Sequence, residues 1–181
     1  MVARFVGMKN TQWCVITGPP CSGKTTLIDK LEALGYPVVH EVARWVIEGN
    51  INGDMTTDQR QTEKLNLQRV ILDTKLDIEN RIPEDQLTFF DRGIPDSIAY
   101  FKRVGLDPQP VISSAWRRRY KQVFFLESVP YIQDPVRTEH RRTASALTDA
   151  LVHSYRLAGY TPIHIPNMNA EKRLERILMA S

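Results

Sequence analysis

An apolar run, Trp13-Cys14-Val15-Ile16-Thr17, leads into Gly18-Pro19-Pro20-Cys21-Ser22-Gly23-Lys24-Thr25, and an amphipathic stretch follows from Thr26. No other feature of the chain restricts its fold so tightly. A buried strand must enter this turn and a helix must leave it, with Leu27, Ile28, Leu31 and Leu34 on the helix's apolar face and Gly35 as its stop. Gly18 and Gly23 let the main chain curl until successive N–H groups point inward, which makes an anion site at a helix N-terminus. Lys24 is placed to reach terminal phosphates, and the Thr25 hydroxyl to take one position on Mg²⁺. Gly18, Pro19, Pro20, Cys21, Ser22, Gly23, Lys24, Thr25 and Thr26 are therefore the expected contacts of a nucleoside triphosphate.

The 181 residues suit one domain, expected to span 1–181, and the mild net charge of +3 permits anionic small molecules without demanding nucleic acid. A disulfide between Cys14 and Cys21 would distort the loop, so both read as thiols in a reducing compartment. No apolar run reaches membrane-spanning length, and Met1 to Phe5 lacks the apolar block of a secretory signal, so a cytoplasmic protein is expected.

Strand and helix patterns alternate along the rest of the chain. Tyr36 to Glu41 reads as a short second strand ending on an acid, with Val42 to Gly49 helical. Thr56-x-x-Gln59 has the form of a capping box opening a long helix to about Glu79. Leu87 to Asp91 is a third strand, and Pro95 opens a helix to Val104 with Gly105 as its stop. Pro108 and Pro110 open another helix, expected to run to about Tyr120, before a fourth strand at Gln122 to Leu126. A helix over Thr143 to Ala158, a fifth strand at Thr161 to Ile165 and a last helix capped by Asn169 complete the series. Such alternation predicts an α/β fold, a parallel sheet covered on both faces, with ligands beyond the strand C-termini. The loop at Gly18, Glu41 and Asp91-Arg92 all fall at such ends and should share one cleft.

Asp91 is placed to hold the Mg²⁺ shell; the alternative is a carboxylate capping the next helix. Arg92 is placed to bind the transferring phosphoryl group, or to pair with Glu41 or Asp91. Glu41 is the candidate general base, provided it reaches an acceptor hydroxyl; otherwise it faces solvent or caps a helix. Arg137, Arg141 and Arg142 lie in a segment, about 131–142, suited to close as a lid over a triphosphate, with a solvated charged face as the bland alternative. Arg117-Arg118-Arg119 with Trp116 and Tyr120 admits a nucleic-acid patch, but a solvated helix terminus is favoured in a chain this near neutrality. Gln68 reads as an exposed helix residue, and the four histidines show no metal-ligand spacing.

With these residues in view, the chain resembles P-loop kinases. Glu41-Val42-Ala43-Arg44-Trp45 is similar to the Glu-Pro-Val-x-x-Trp stretch of deoxynucleoside kinases. Asp91-Arg92-Gly93 with Ser97 and Tyr100 is similar to their Glu-Arg-Ser segment. The NadR-like ATPase/kinase family, which includes a nicotinamide riboside kinase domain, is nearer still, in the Pro-Val-Val-x-Glu strand end, the segment from Asp91 to Tyr100 and an Asp-x-x-Arg lid ending at Arg137. The resemblance implies the P-loop three-layer fold with sheet order 2-3-1-4-5. It also implies Glu41 as base, Asp91 on Mg²⁺, Arg92 at the reacting phosphate and Arg137 as a lid residue. Val42 stands where those kinases carry proline, Asp91 where they carry glutamate, and Pro135 where the lid carries glycine, which stiffens it. The activity so implied is ATP- and Mg²⁺-dependent phosphorylation of a hydroxyl on a nucleoside-like metabolite, its pocket drawn from about 42–82. A nucleotide-dependent switch that binds a partner, and a polynucleotide end kinase, are the rival readings. A monomer and a homodimer are both compatible with the sequence.

Overall fold

A computed structural model of the chain describes residues 8–49, 57–128 and 138–181. The elements in order are β1 (Lys9–Asn10), β2 (Cys14–Thr17), α1 (Lys24–Ala33), β3 (Val38–Val39), α2 (Val42–Gly49), α3 (Thr57–Arg81), β4 (Phe89–Asp91), α4 (Asp96–Val104) and α5 (Gln109–Ala115). They continue with β5 (Arg118–Arg119), β6 (Gln122–Leu126), α6 (Thr138–Leu157), β7 (Ile163–Ile165) and α7 (Ala170–Met179). The main sheet has the order β3-β4-β2-β6-β7, and every neighbouring pair is parallel. Counted over its own five strands this is 2-3-1-4-5, as expected.

Side chains alternate across the sheet and so divide between its two faces, with Phe125 packing in a smaller cluster with Ala99, Leu147 and Leu151. Cys14, Ile16, Phe89, Phe124 and Ile165 meet Leu27, Ile28 and Leu31 of α1 and Ile177 of α7 on one face. Trp13, Val15, Phe90 and Val123 meet Leu72 of α3, Ile98 and Phe101 of α4, Val111 of α5 and Tyr155 of α6 on the other. Leu147, Leu151 and Tyr155, at four-residue spacing, are the buried side of α6. Asn169 caps α7 as expected, its Oδ1 accepting from Lys172 N at 2.9 Å.

One helix is shorter than its sequence suggests. α5 stops at Ala115, and Arg118–Arg119 form β5, parallel to β1, instead of the end of that helix. Two packing contacts of the arginines favour the extended path. The Arg118 guanidinium lies over the Trp13 ring, and that of Arg119 lies over Tyr160 at 3.7 Å while donating to Ala158 O. Conversely, α6 starts at Thr138, earlier than expected. Thr56 of the capping box, and residues 131–137 of the expected lid, lie outside the described residues.

Candidate active site

β2 delivers its last residue, Thr17, into the sheet's crevice, and the chain turns back at once. Gly18 has φ 146°, and a β-carbon on it would stand 2.6 Å from Leu126 O on the neighbouring strand. Cys21 at φ 59° and Gly23 at φ 87° supply the left-handed steps that curl the loop into α1. Lys24, the first residue of α1, folds back along the loop. Its Nζ donates to Gly18 O at 3.2 Å, Pro19 O at 2.9 Å and Ser22 Oγ at 3.3 Å. Burial, together with Arg92 nearby, pulls the Lys24 ammonium down to about 8, against the opposing pull of Asp91, Glu41 and Asp96. Pro19 and Ser22 are buried, Pro20, Cys21 and Thr26 are exposed, and Thr25 is half-buried. Both cysteines are free thiols, with burial pushing that of Cys14 up.

The end of β4 brings the acidic and basic groups to this loop. Asp91 is 3% exposed, and among the described residues its Oδ1 is a buried oxygen with no hydrogen-bond partner. Burial pushes the Asp91 carboxyl up to about 6; Lys24 pulls it down and Glu41 pushes it further up. Arg92 follows at φ 70°, a left-handed conformation that is strained for a residue with a side chain. That strain turns the guanidinium back toward the loop. Nε donates to Glu41 Oε1 at 2.7 Å, and Nη1 to Gly18 O at 3.2 Å and Asp96 Oδ1 at 3.1 Å. Burial alone would lower the Arg92 pKa, yet Asp96, Tyr100 and Glu41 together hold it above its ordinary value. Lys24 and Arg92 thus share the Gly18 carbonyl. Lys24, Glu41, Asp91 and Arg92, from three separated parts of the chain, line one site.

Behind them lies a buried polar layer that the sequence reading did not assign. Asp96, fully buried, accepts from Thr17 Oγ1 at 2.6 Å, Arg92, Gly93 N at 3.0 Å and the Tyr155 hydroxyl. Burial would raise its pKa, but Arg92 and Lys75 hold it below the usual carboxylate value. Its sequence mark was an acid four residues after Arg92. Lys75, also buried, donates to Gly93 O at 2.9 Å and Ser97 Oγ at 3.4 Å, and burial lowers its pKa. Glu79 accepts from the Tyr120 hydroxyl, and burial raises its carboxyl to about 7. Lys75 and Glu79 stand where the stripe from Leu72 continues along α3, so a charge on an apolar face was the available sign. They help line a cavity of about 10 Å³ with Val42, Ile78, Arg92 and Gly93, about room for one water molecule.

Other candidates lie elsewhere. Arg137 lies outside the described residues, and Arg141 falls in the first turns of α6. Gln68, expected exposed, is half-buried on α3. Arg118 bonds to Glu84 and Asn80, and Arg119 to Ala158 O and Gly159 O, so this pair serves internal contacts and not a free basic patch. No group of three or more His, Cys, Asp or Glu residues suited to a metal occurs among the described residues.

A glycine-cornered anion loop between the central strand and α1, in a parallel sheet of order 2-3-1-4-5, defines a nucleotide-binding P-loop fold. Residues 13–173 match the family described as AAA domain, and the chain belongs to that family. NadR protein in complex with NR superposes with a TM-score of 0.66 at 17% identity, covering 96% of this chain and 50% of that one. The chain therefore spans about half the length of NadR. Deoxyadenosine kinase from M. mycoides, with products dCMP and a flexible dCDP bound, superposes at TM-score 0.57 and 13% identity, covering 92% and 96% of the two chains. Thymidylate kinase from Ehrlichia chaffeensis does so at TM-score 0.59 and 13% identity, covering 94% and 98%. The resemblance to NadR-like P-loop kinases is borne out in the fold. No curated protein matches the sequence. Among the described residues no helix is long and apolar enough to cross a membrane.

Proposed function

We propose that this chain is an ATP-dependent kinase that moves the γ-phosphoryl group to a hydroxyl of a nucleoside-like small molecule. The observation that carries the reading is the meeting of Glu41, Asp91 and Arg92 with Lys24 at the mouth of the phosphate loop. A switch that only binds and releases nucleotide has no need of a carboxylate held by the same arginine that faces the loop. The fold neighbours that bind nucleosides or nucleotides support the same class.

The buried, unpartnered Oδ1 of Asp91 fits a hydrated divalent cation, and with the Thr25 hydroxyl it would hold Mg²⁺. When bound, the ion neutralises phosphate charge. The protein's own groups do the rest. Loop amides from Cys21 to Thr26 cradle the β- and γ-phosphates, Pro19 and Pro20 having no N–H to give, and Lys24 exchanges its carbonyl partners for phosphate oxygens. Arg92, kept protonated and aimed by Asp96, stabilises charge on the transferring group. Arg92 holds Glu41 Oε1, leaving Oε2 to take the hydroxyl proton as the acceptor oxygen bonds to γ-phosphorus and the bond to the β–γ bridging oxygen breaks. ADP leaves with its terminal oxygen anionic. Arg137 and Arg141 are assigned to bring further positive charge to the triphosphate.

The test is ADP release from ATP–Mg²⁺ across a panel of nucleosides and sugars, in wild type and Glu41→Gln. The expected result is stimulation of the wild type by at least one nucleoside, with kcat about 10²- to 10⁴-fold lower in the variant. Acceptor-independent turnover that is equal in both proteins overturns the reading and favours the switch.

A further inference from the structure

The phosphate loop has a second cation beneath it. Arg173, in the first turn of α7, is 4% exposed, and every group it donates to is neutral. Nε bonds to Pro166 O at 3.0 Å, Nη1 to Ser22 O at 2.6 Å, and Nη2 to Glu127 O at 3.0 Å and Asn167 Oδ1 at 3.1 Å. Among the described residues it forms no ion pair, while Lys30 of α1 does pair with Glu171 on the same helix turn. A buried guanidinium without a counter-ion is costly. Burial duly lowers its pKa, with Glu127 the opposing influence. Anchoring α7 does not require this, because Ile177 already packs that helix into the core shared with α1.

The position of the Nη1 bond explains the expense. Ser22 C=O and Gly23 N–H are the two halves of one peptide unit, and that N–H opens the anion site at the start of α1. A short charge-assisted bond to the carbonyl draws electron density toward oxygen and leaves the N–H a stronger donor. The same nitrogen stands 3.6 Å from where a Gly23 β-carbon would lie, directly behind the loop. Its charge, with the Glu127 carboxylate acting on it but outside ion-pair distance, also acts on whatever anion the loop holds.

We propose that Arg173 is a positioning residue of the polyphosphate site, which strengthens the loop's hold on phosphate through the Ser22–Gly23 peptide and its own field without touching the ligand. The inference rests on reading Gly18 to Thr25 as a phosphate loop. Its test uses inorganic tripolyphosphate, which carries no base, titrated calorimetrically into wild type, Lys24→Ala, Arg173→Lys, Arg173→Gln and Arg173→Met at low and high salt. Arg173→Gln and Arg173→Met are expected to bind about ten- to a hundredfold more weakly, as for loss of a unit charge a short distance behind a bound anion. Arg173→Lys keeps the charge and is expected to stay within about threefold of wild type, with the salt dependence flattened only in the neutral variants. A purely structural tie predicts otherwise: lysine loses the fork that joins Ser22, Glu127 and Pro166, and should fall with glutamine. That grouping, or wild-type affinity in all three, overturns the proposal. Should Arg173→Met fail to fold, the lysine and glutamine variants decide. Absence of tripolyphosphate binding to wild type sinks the phosphate-loop reading itself. Binding lost in Lys24→Ala but kept in every Arg173 variant sinks only the role of Arg173.

Discussion

At Glu79 the chain keeps a carboxyl that titrates far from its ordinary range. The side chain is 3% exposed on α3, and burial is the largest influence on it, with Tyr120, Arg118 and Lys75 pulling the other way. The folded value is about 7 against an ordinary 4.5, so the folded state favours the protonated form. The associated stability is complete below the unfolded value and drains away as pH rises through about 7, a loss of roughly 3 kcal/mol. Glu79→Gln keeps a carbonyl oxygen for the Tyr120 hydroxyl and removes the titration. Denaturant midpoints measured from pH 5 to pH 8 should therefore fall less in the variant than in wild type, crossing in its favour toward pH 8. Parallel curves would show that the carboxyl is ionised, and satisfied, throughout. Arg92 illustrates the same economy by a different route: its strained backbone is held because Glu41, Gly18 O and Asp96 all take its donors.

At the scale of elements, the loop between β2 and α1 depends on how closely β2 lies against β6. A methyl group at Gly18 would meet Leu126 O at 2.6 Å, and Leu126 is paired with Ile165 of β7, so that oxygen cannot retreat cheaply. Gly18→Ala should cost about 2–4 kcal/mol, from left-handed strain plus the clash, and weaken nucleotide binding along with stability. Chemical denaturation and ADP titration of the same preparation check both; an alanine variant of unchanged stability would mean that the two strands separate there readily. Much of this layout was legible because period and punctuation agree. Apolar strands end at Thr17, Asp91 and Leu126, and glycines or prolines mark the turns, so a parallel sheet and the meeting of Lys24, Glu41, Asp91 and Arg92 followed, whereas the strand order came from the resemblance to P-loop kinases. What stayed hidden depends on partners remote in sequence. Arg118 and Arg119 carry no local sign of being a strand, because the rings that hold them, Trp13 and Tyr160, lie far along the chain. Asp96 and Arg173 look like ordinary surface charges until the fold buries them.

For the whole molecule, the site is tied to both ends of the chain rather than hung on one loop. Thr17 of the central strand bonds to Asp96 of α4, Asp96 to Tyr155 of α6, and Ser22 of the loop to Arg173 of α7. The two larger hydrophobic cores are thereby linked to the residues that face a ligand. A ligand that binds only the folded state stabilises by mass action, about 2.7 kcal/mol at a hundred times its Kd. For a chain of this size that corresponds to a rise of roughly 5–10 °C in Tm. Because the ties cross both cores, slowed hydrogen exchange should spread with ADP beyond α1 to the amides of α4, α6 and α7. Lys24→Ala should abolish the rise in Tm and the slowing together, since it removes the ammonium that the phosphates would take from Gly18 O and Pro19 O. Protection confined to the loop and α1 would mean that the buried polar layer is only scaffold, and that nucleotide is sensed locally.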